Sequence, residues 1–198
     1  ADIYIIAVSD NAISEITQHL FIKDGILVHT AGSVSKDVLK KDGGAYGILY
    51  PLQSIASCKE AIPEIPFLID GNTDETISRI KAFALTLSDK VQYADDEMRQ
   101  KMHVAAVIAN NFTNYLYTLT HDFCKREGID FTMLLPLLAE TTNRLQYNDP
   151  ALMQTGPAKR NDVNTMQKHI AALETYPDLQ HIYKAFSQLI IDYYKKQS

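Results

Sequence analysis

The sequence predicts an α/β part with a mostly parallel sheet over residues 1–72, joined to an all-α part over residues 73–198. Three observations carry this expectation. Short β-branched runs alternate with helical stretches as far as Asp70. No convincing strand follows that point. Beyond it, a seven-residue hydrophobic repeat runs along one long helix.

In chain order, the run IYIIAV (3–8) is apolar and largely β-branched, the composition of a strand buried on both faces. Asp10 and Asn11 stand where a helix cap belongs, ahead of a helix to about Phe21. GILVHT (25–30) predicts a second strand, and Ser33 or Ser35 a short helix through Leu39. YGILY (46–50) and PFLID (66–70) complete the strands. Asn72 and Glu75 have capping-box spacing before a helix over 74–88. The long helix, 95–127, closes at Gly128, where a left-handed cap residue belongs. Met98, Met102, Ala105, Ala109, Phe112, Leu116, Leu119 and Phe123 share one face of it, the pattern of a helix packed lengthwise on other helices. Asp130 opens a helix to about Tyr147 with a bend at Pro136, and helices over 162–175 and 178–196 are split by Pro177.

The totals exclude several functions. A chain of 198 residues, 46% hydrophobic and 22% charged, can bury one good core or two small ones. A net charge of −5, with the 19 Lys and Arg scattered, leaves no basic footprint for nucleic acid. No apolar run approaches the ~20 residues that span a bilayer. Cys58 and Cys124 lie in no metal or redox spacing, and the six His form no zinc pattern. The expectation is therefore a reduced, cytoplasmic protein without a metal. ADIYIIAV carries no charged leader and is not a signal peptide; it reads as a strand entered in mid-fold. No GxGxxG occurs, and Gly43-Gly44 lacks the spacing, so these residues contain no glycine-rich cradle for a pyrophosphate.

Three groups of residues could carry chemistry. On the long helix His103, Asn110, Asn114 and His121 fall in one stripe, flanked by Asn111. A solvent-facing stripe explains this pattern. Yet Asn is a mediocre helix former, and a His among carboxamides can donate a proton while the amides orient a carbonyl or imine. In TGPAKRNDVNTMQKHIAAL, Asp162 is a natural N-cap, which leaves Arg160 and His169 unexplained. Ser9 and Asp10, His29 and Thr30, and Gln53 follow three predicted parallel strands, at the edge where open α/β sheets gather ligands.

The segments ADIYIIAVSDNAI, LVHTAGS, GILYPLQSI, HVAAVIANNF and TGPAKRNDVNTMQKHIAAL come in the order seen in a family of Rossmann-like NAD(P)-dependent oxidoreductases with a C-terminal helical domain of uncharacterised function. Over nearly its whole length the chain resembles that family, which is similar to pyrroline-5-carboxylate reductase and the 6-phosphogluconate dehydrogenase-like enzymes. The resemblance implies a partial Rossmann-like sheet and a helical dimerisation domain of the 6-phosphogluconate dehydrogenase C-terminal kind, with the active cleft between them. It also implies NADP or NAD as cofactor, a small-molecule substrate and a homodimer.

Matched residue by residue, His103 and Asn111 fall where the family has a His and an Asn on its long helix. Arg160, Asp162 and His169 fall on the Gly-Pro motif, and His29 on the strand-end motif. The chain departs from the family at Tyr50, where a His precedes Pro-Leu-Gln, at Ala31, where a Ser is usual, and at Asn161, where a Gly is usual. The glycine-rich segment that opens the family is not among these residues, which enter at about the fourth strand, some ~60–80 residues in.

The leading expectation is thus an NAD(P)-dependent oxidoreductase. The nicotinamide end of its cofactor lies over Ser9, Asp10, His29, Thr30 and Gln53. His103 is the proton donor and Asn111 the orienting amide. Arg160, with Asp162 and His169, holds an anionic group of a small substrate. The alternative is a non-catalytic dimer that keeps the fold for ligand binding or as a scaffold. Neither nucleic acid nor a membrane has a feature in its favour.

Overall fold

The computed structural model describes residues 1–41, 43–54 and 63–196, and Cys58 lies outside them. Its sheet has five strands in the spatial order β1 (Ile3–Ile6), β2 (Ile26–His29), β3 (Ala45–Pro51), β4 (Phe67–Gly71) and β5 (Val91–Tyr93). All neighbouring pairs are parallel except β3 with β4. The mixed, mostly parallel α/β sheet and the helices after it are the class the sequence predicts.

Several details differ from the sequence expectation. β5 is a strand beyond Asp70, where none was expected; it extends the sheet in parallel beside β4. Among the described residues β1 is the outermost strand, with Ile6 buried and Tyr4 and Ile5 exposed. Helix α1 (Asp10–His19) is preceded by Ser9 at the cap position, with Asp10 already in its first turn. Ser35 opens the short 3-10 turn Lys36–Leu39 by accepting from the Asp37 N–H.

Helix α2 (Asp74–Ala84) is capped by Thr73, whose hydroxyl accepts from the Thr76 N–H. Asn72 is taken instead by the sheet: its Oδ1 accepts from Tyr46 N–H, and its Nδ2 donates to the Gly44 carbonyl. α2 lies directly on the sheet, with Ile80 and Ala84 buried among Ile26, Val28, Leu49 and Ile69. Gly47 permits this. A Cβ there would stand 2.2 Å from the Asp70 carbonyl oxygen and 2.6 Å from Cδ1 of Ile80.

The long helix is interrupted. α3 (Asp96–Ala106), capped by Asp95, gives way to a π-helical segment, Val107–Phe112, before α4 (Thr113–Glu127). Bonding i to i+5 adds residues to the turn and rotates everything beyond it. One heptad face therefore does not persist. Met102, before the segment, packs on the sheet with Ile48, Tyr50, Leu68 and Ala94, whereas Phe112, at its end, is exposed.

The chain divides into two compact units, the first Ala1–Thr113 and the second beginning at Asn114. In the second unit Gly128 takes φ +69°, the left-handed cap the sequence predicts, and Ile129 N–H donates to the Cys124 carbonyl at 2.8 Å. Cys124 is buried as a free thiol. Asp130 caps a 3-10 turn, Phe131–Leu134, and Pro136 sits in the first turn of α5 (Leu135–Arg144). Pro136 therefore starts a helix and does not bend one, because a first-turn N–H has no intrahelical partner to lose. α6 (Pro150–Met153), α7 (Val163–Ala172) and α8 (Pro177–Lys195) complete the unit. Ala158, Met166 and Leu173 are buried there. No helix of the described residues is long and apolar enough to cross a membrane.

Candidate functional site

β1, β2 and β3 run parallel with Ile6, His29 and Ile48 in register, so their carboxyl ends share one edge of the sheet. Ser9 and Asp10 follow β1, Thr30 follows β2, and Gln53 follows β3. Thr30 Oγ1 lies 3.5 Å from the Ile6 carbonyl, tying the first two strand ends together. Past the end of β3, a cleft of about 300 Å³ opens between that edge and the long helix. Tyr50, Leu52, Gln53 and Ser54 form one wall; His103, Ala106, Val107, Asn110 and Asn111 form the other. The whole cleft belongs to the first unit.

The geometry brings His103, Asn111 and Gln53 together. It also splits the predicted polar stripe. His103, Asn110 and Asn111 line the cleft because the π segment turns both amides into it. Segments of this kind recur at functional sites. Asn114 and His121 lie in the second unit, where the His121 ring packs edge-on against Phe131 at 5.3 Å.

His29 is wholly inside the sheet unit at 0% exposure. Its Nδ1 accepts from Ala31 N–H at 3.2 Å, and its Nε2 lies 3.3 Å from the Ser35 carbonyl. Burial pushes its pKa below the ordinary imidazole value; the Ser35 carbonyl resists that shift and Arg99 adds to it.

Around it runs a polar layer. Lys36 Nζ donates to Asp70 at 2.6 Å, while Asp96 accepts from Ser35 Oγ, Lys36 N–H and, at 2.8 Å, Arg99 Nη2. Partial desolvation opposes the Lys36 charge, but the Asp70 carboxylate outweighs it and holds the ammonium above its usual value. Desolvation likewise opposes the Asp96 charge, but the bonds from Ser35, Arg99 and Lys36 hold its carboxyl below the usual range.

The Gly-Pro corner lies in the second unit. Asp162 caps α7 there: its carboxylate accepts from the Thr165 N–H at 3.1 Å and the Thr165 hydroxyl at 2.7 Å, which holds its carboxyl low. Asn161 has φ +52°, so the position where the family uses Gly needs the left-handed conformation that Asn tolerates best among side-chain residues. Arg160 is exposed. His169 Nδ1 lies 2.8 Å from the Tyr183 hydroxyl, at the side of a mostly apolar groove with Pro157, Ile182 and Phe186.

The sequence reading did not single out Tyr50 as a site residue, although its hydroxyl lies 2.9 Å from Nδ1 of His103. The signal was available, since Tyr50 stands where the resembled family has a second His. Among the described residues no cluster of three or more His, Cys, Asp or Glu could hold a metal ion.

A Rossmann-like sheet edge facing a helix that carries His and Asn defines an α/β protein with an appended helical region. The chain belongs to the family described as "Domain of unknown function (DUF2520)", which matches residues 65–190. It is similar to a "putative NADP oxidoreductase" from Bacteroides fragilis, with 36% identity and a TM-score of 0.89 over 97% of this chain and 76% of that one. A Thermotoga maritima protein matches at 25% identity and TM-score 0.74, over 98% of this chain and 78% of that one. An imine reductase from Myxococcus stipitatus in complex with NADP+ shares the fold at TM-score 0.58 and 16% identity, over 99% of this chain and 75% of that one. No curated protein sequence matches the chain.

Proposed function

We propose that the protein is an NAD(P)-dependent oxidoreductase acting on the C=O or C=N group of a small, anionic substrate, with its chemistry in the cleft lined by Gln53, His103 and Asn111. The observation that carries this reading is the convergence of a His and carboxamides from a π-helical segment on the carboxyl edge of a parallel sheet. Likeness to the Bacteroides fragilis protein supports the choice of NADP over a non-redox ligand.

The described residues suit the nicotinamide end of such a cofactor, at Ser9, Asp10, Thr30 and Gln53. They include no glycine-rich turn between β1 and α1, so no residue here is assigned to the pyrophosphate. His29, buried and doubly bonded, shapes the β2 end from beneath. A bound nicotinamide supplies the hydride chemistry. His103 supplies the proton: its N–H bond breaks toward the substrate heteroatom and the electron pair stays on the ring nitrogen. The Asn111 amide orients the same C=O or C=N.

Arg160, with Asp162 and His169 of the Gly-Pro corner, is the proposed anion-binding group of the second unit, since a guanidinium grips a carboxylate with two parallel bonds. On this reading residues 1–72 form the dinucleotide-binding part and 73–198 the helical part that makes a homodimer. The free thiol of Cys124 suits the cytoplasm, the proposed compartment.

The test is turnover of NADPH by the purified full-length protein over a panel of small cyclic imines and 2-oxo acids. His103→Ala should lower kcat by 10²-fold or more, on the order expected for a general acid, with dinucleotide affinity nearly unchanged. Unchanged turnover in that variant would remove His103 from the chemistry, and no NADPH oxidation by the wild type across the panel would favour the non-catalytic dimer.

A further inference from the structure

His103 packs against both Tyr50 and Gly32. The Tyr50 hydroxyl stands 2.9 Å from its Nδ1, and the two rings meet edge to face at 69° with centroids 6.0 Å apart. Gly32, after the end of β2, approaches the same edge of the ring. A Cβ there would come within 2.6 Å of Nδ1 and 2.9 Å of Cγ of His103, and 3.0 Å of Cζ of Tyr50. Only a glycine lets both rings close on that backbone. Among the described residues Nε2 of His103 has no hydrogen-bond partner, so it is the ring nitrogen left for a ligand.

The direction of the Tyr50–His103 bond follows from acidity. Burial raises the Tyr50 phenol above its ordinary pKa, Asp10 adds to the shift and Arg99 opposes it, so the hydroxyl stays protonated wherever an imidazole titrates. A phenol is a stronger donor than a neutral imidazole N–H, and a bare imidazole nitrogen is a stronger acceptor than a phenol oxygen. In the neutral pair the hydroxyl therefore donates to Nδ1, and the ring proton resides on Nε2.

We propose that Tyr50 is a positioning residue that fixes neutral His103 as its Nε2–H tautomer, with the ring braced on the Gly32 backbone, so that Nε2–H is the group presented to the substrate heteroatom. A hydroxyl suits both charge states of the ring, because it donates to the neutral imidazole and accepts from Nδ1–H of the imidazolium. The use of this tautomer, as a hydrogen bond to the substrate heteroatom that becomes a proton transfer when the ring is the imidazolium and leaves a neutral imidazole, rests on the proton-donor reading of His103; its existence does not.

The experiment is a two-bond proton–nitrogen NMR correlation of the full-length protein labelled with 15N-histidine. It needs no substrate. A pyridine-type Nδ1 and a pyrrole-type Nε2 for His103 are expected, and Tyr50→Phe should replace them with the averaged shifts of two exchanging tautomers. Gly32→Ala, which keeps the hydroxyl but displaces the imidazole, should give the same averaging and serves if Tyr50→Phe does not fold. A neutral ring with its proton on Nδ1 in the wild type, recorded at a pH where His103 is uncharged, or an unaltered His103 pattern in both folded variants, overturns the proposal. Turnover separates the two layers: kcat should fall about tenfold in Tyr50→Phe at constant dinucleotide KM. A shifted tautomer with undiminished kcat upholds the positioning and removes the proton-donor role.

Discussion

Arg99 is buried to 1% exposure, with one carboxylate partner. Its Nη2 donates to Asp96 and to the Val34 carbonyl, while Nε and Nη1 have no partner among the described residues. A buried donor left unsatisfied costs roughly 1–3 kcal/mol, so Asp96 matters more than its partial exposure suggests. Asp96→Ala should lower stability by about that much in a denaturant titration, and Arg99→Met by less, since it also removes the two orphan N–H groups.

His29 makes a pH prediction. Its folded pKa is depressed, so below the ordinary imidazole value of ~6.5 the unfolded chain binds a proton that the folded chain refuses. Stability from this group is complete above that value and declines as pH falls through it. Asp96, also depressed, adds its own loss further into acid, as pH falls below the usual carboxylate range. The denaturation midpoint of the wild type should therefore drop between pH 7 and 5. His29→Gln should show a shallower slope, and an identical slope would contradict the assignment.

Among the elements, α2 depends on close approach to the sheet. Gly47→Ala should cost roughly 1–3 kcal/mol by overpacking against the Asp70 carbonyl and Ile80, and should lower the melting temperature accordingly. Thr73→Ala should cost ~1 kcal/mol as the loss of a helix cap.

The parallel strands, the Ser35 turn, the Asp162 cap and the Gly128 cap were legible because each depends on a local pattern. β5 was not, since three residues are too few for alternation to show. Asn72 fitted a capping box by spacing, but the sheet took its side chain. The π segment was invisible for a related reason. Nothing in VIANNF specifies i to i+5 bonding, and a constant rotation of 100° per residue carried the stripe past it to Asn114 and His121.

At the scale of the molecule, large apolar side chains stand open in the helical unit: Met133 at 76%, Tyr147 at 84% and Leu152 at 80% exposure. Surface of this kind marks association, and the proposed homodimer would cover it. Light scattering on the full-length protein should give twice the chain mass. A concentration-independent monomer would contradict the dimer.

Half of the cleft was readable in advance. His103 and Asn111 were named from a polar helix stripe and the family resemblance, and Gln53 from its strand-end position, whereas Tyr50 was passed over because a tyrosine in place of the family's histidine spoke against proton transfer there. The central claim is that the nicotinamide ring reacts in the cleft those residues line. The most direct test is a crystal structure of the full-length protein with NADP+. The nicotinamide should lie within about 4 Å of His103 or Asn111, in the cleft beside Gln53. A dinucleotide bound with its nicotinamide on any other surface would contradict it.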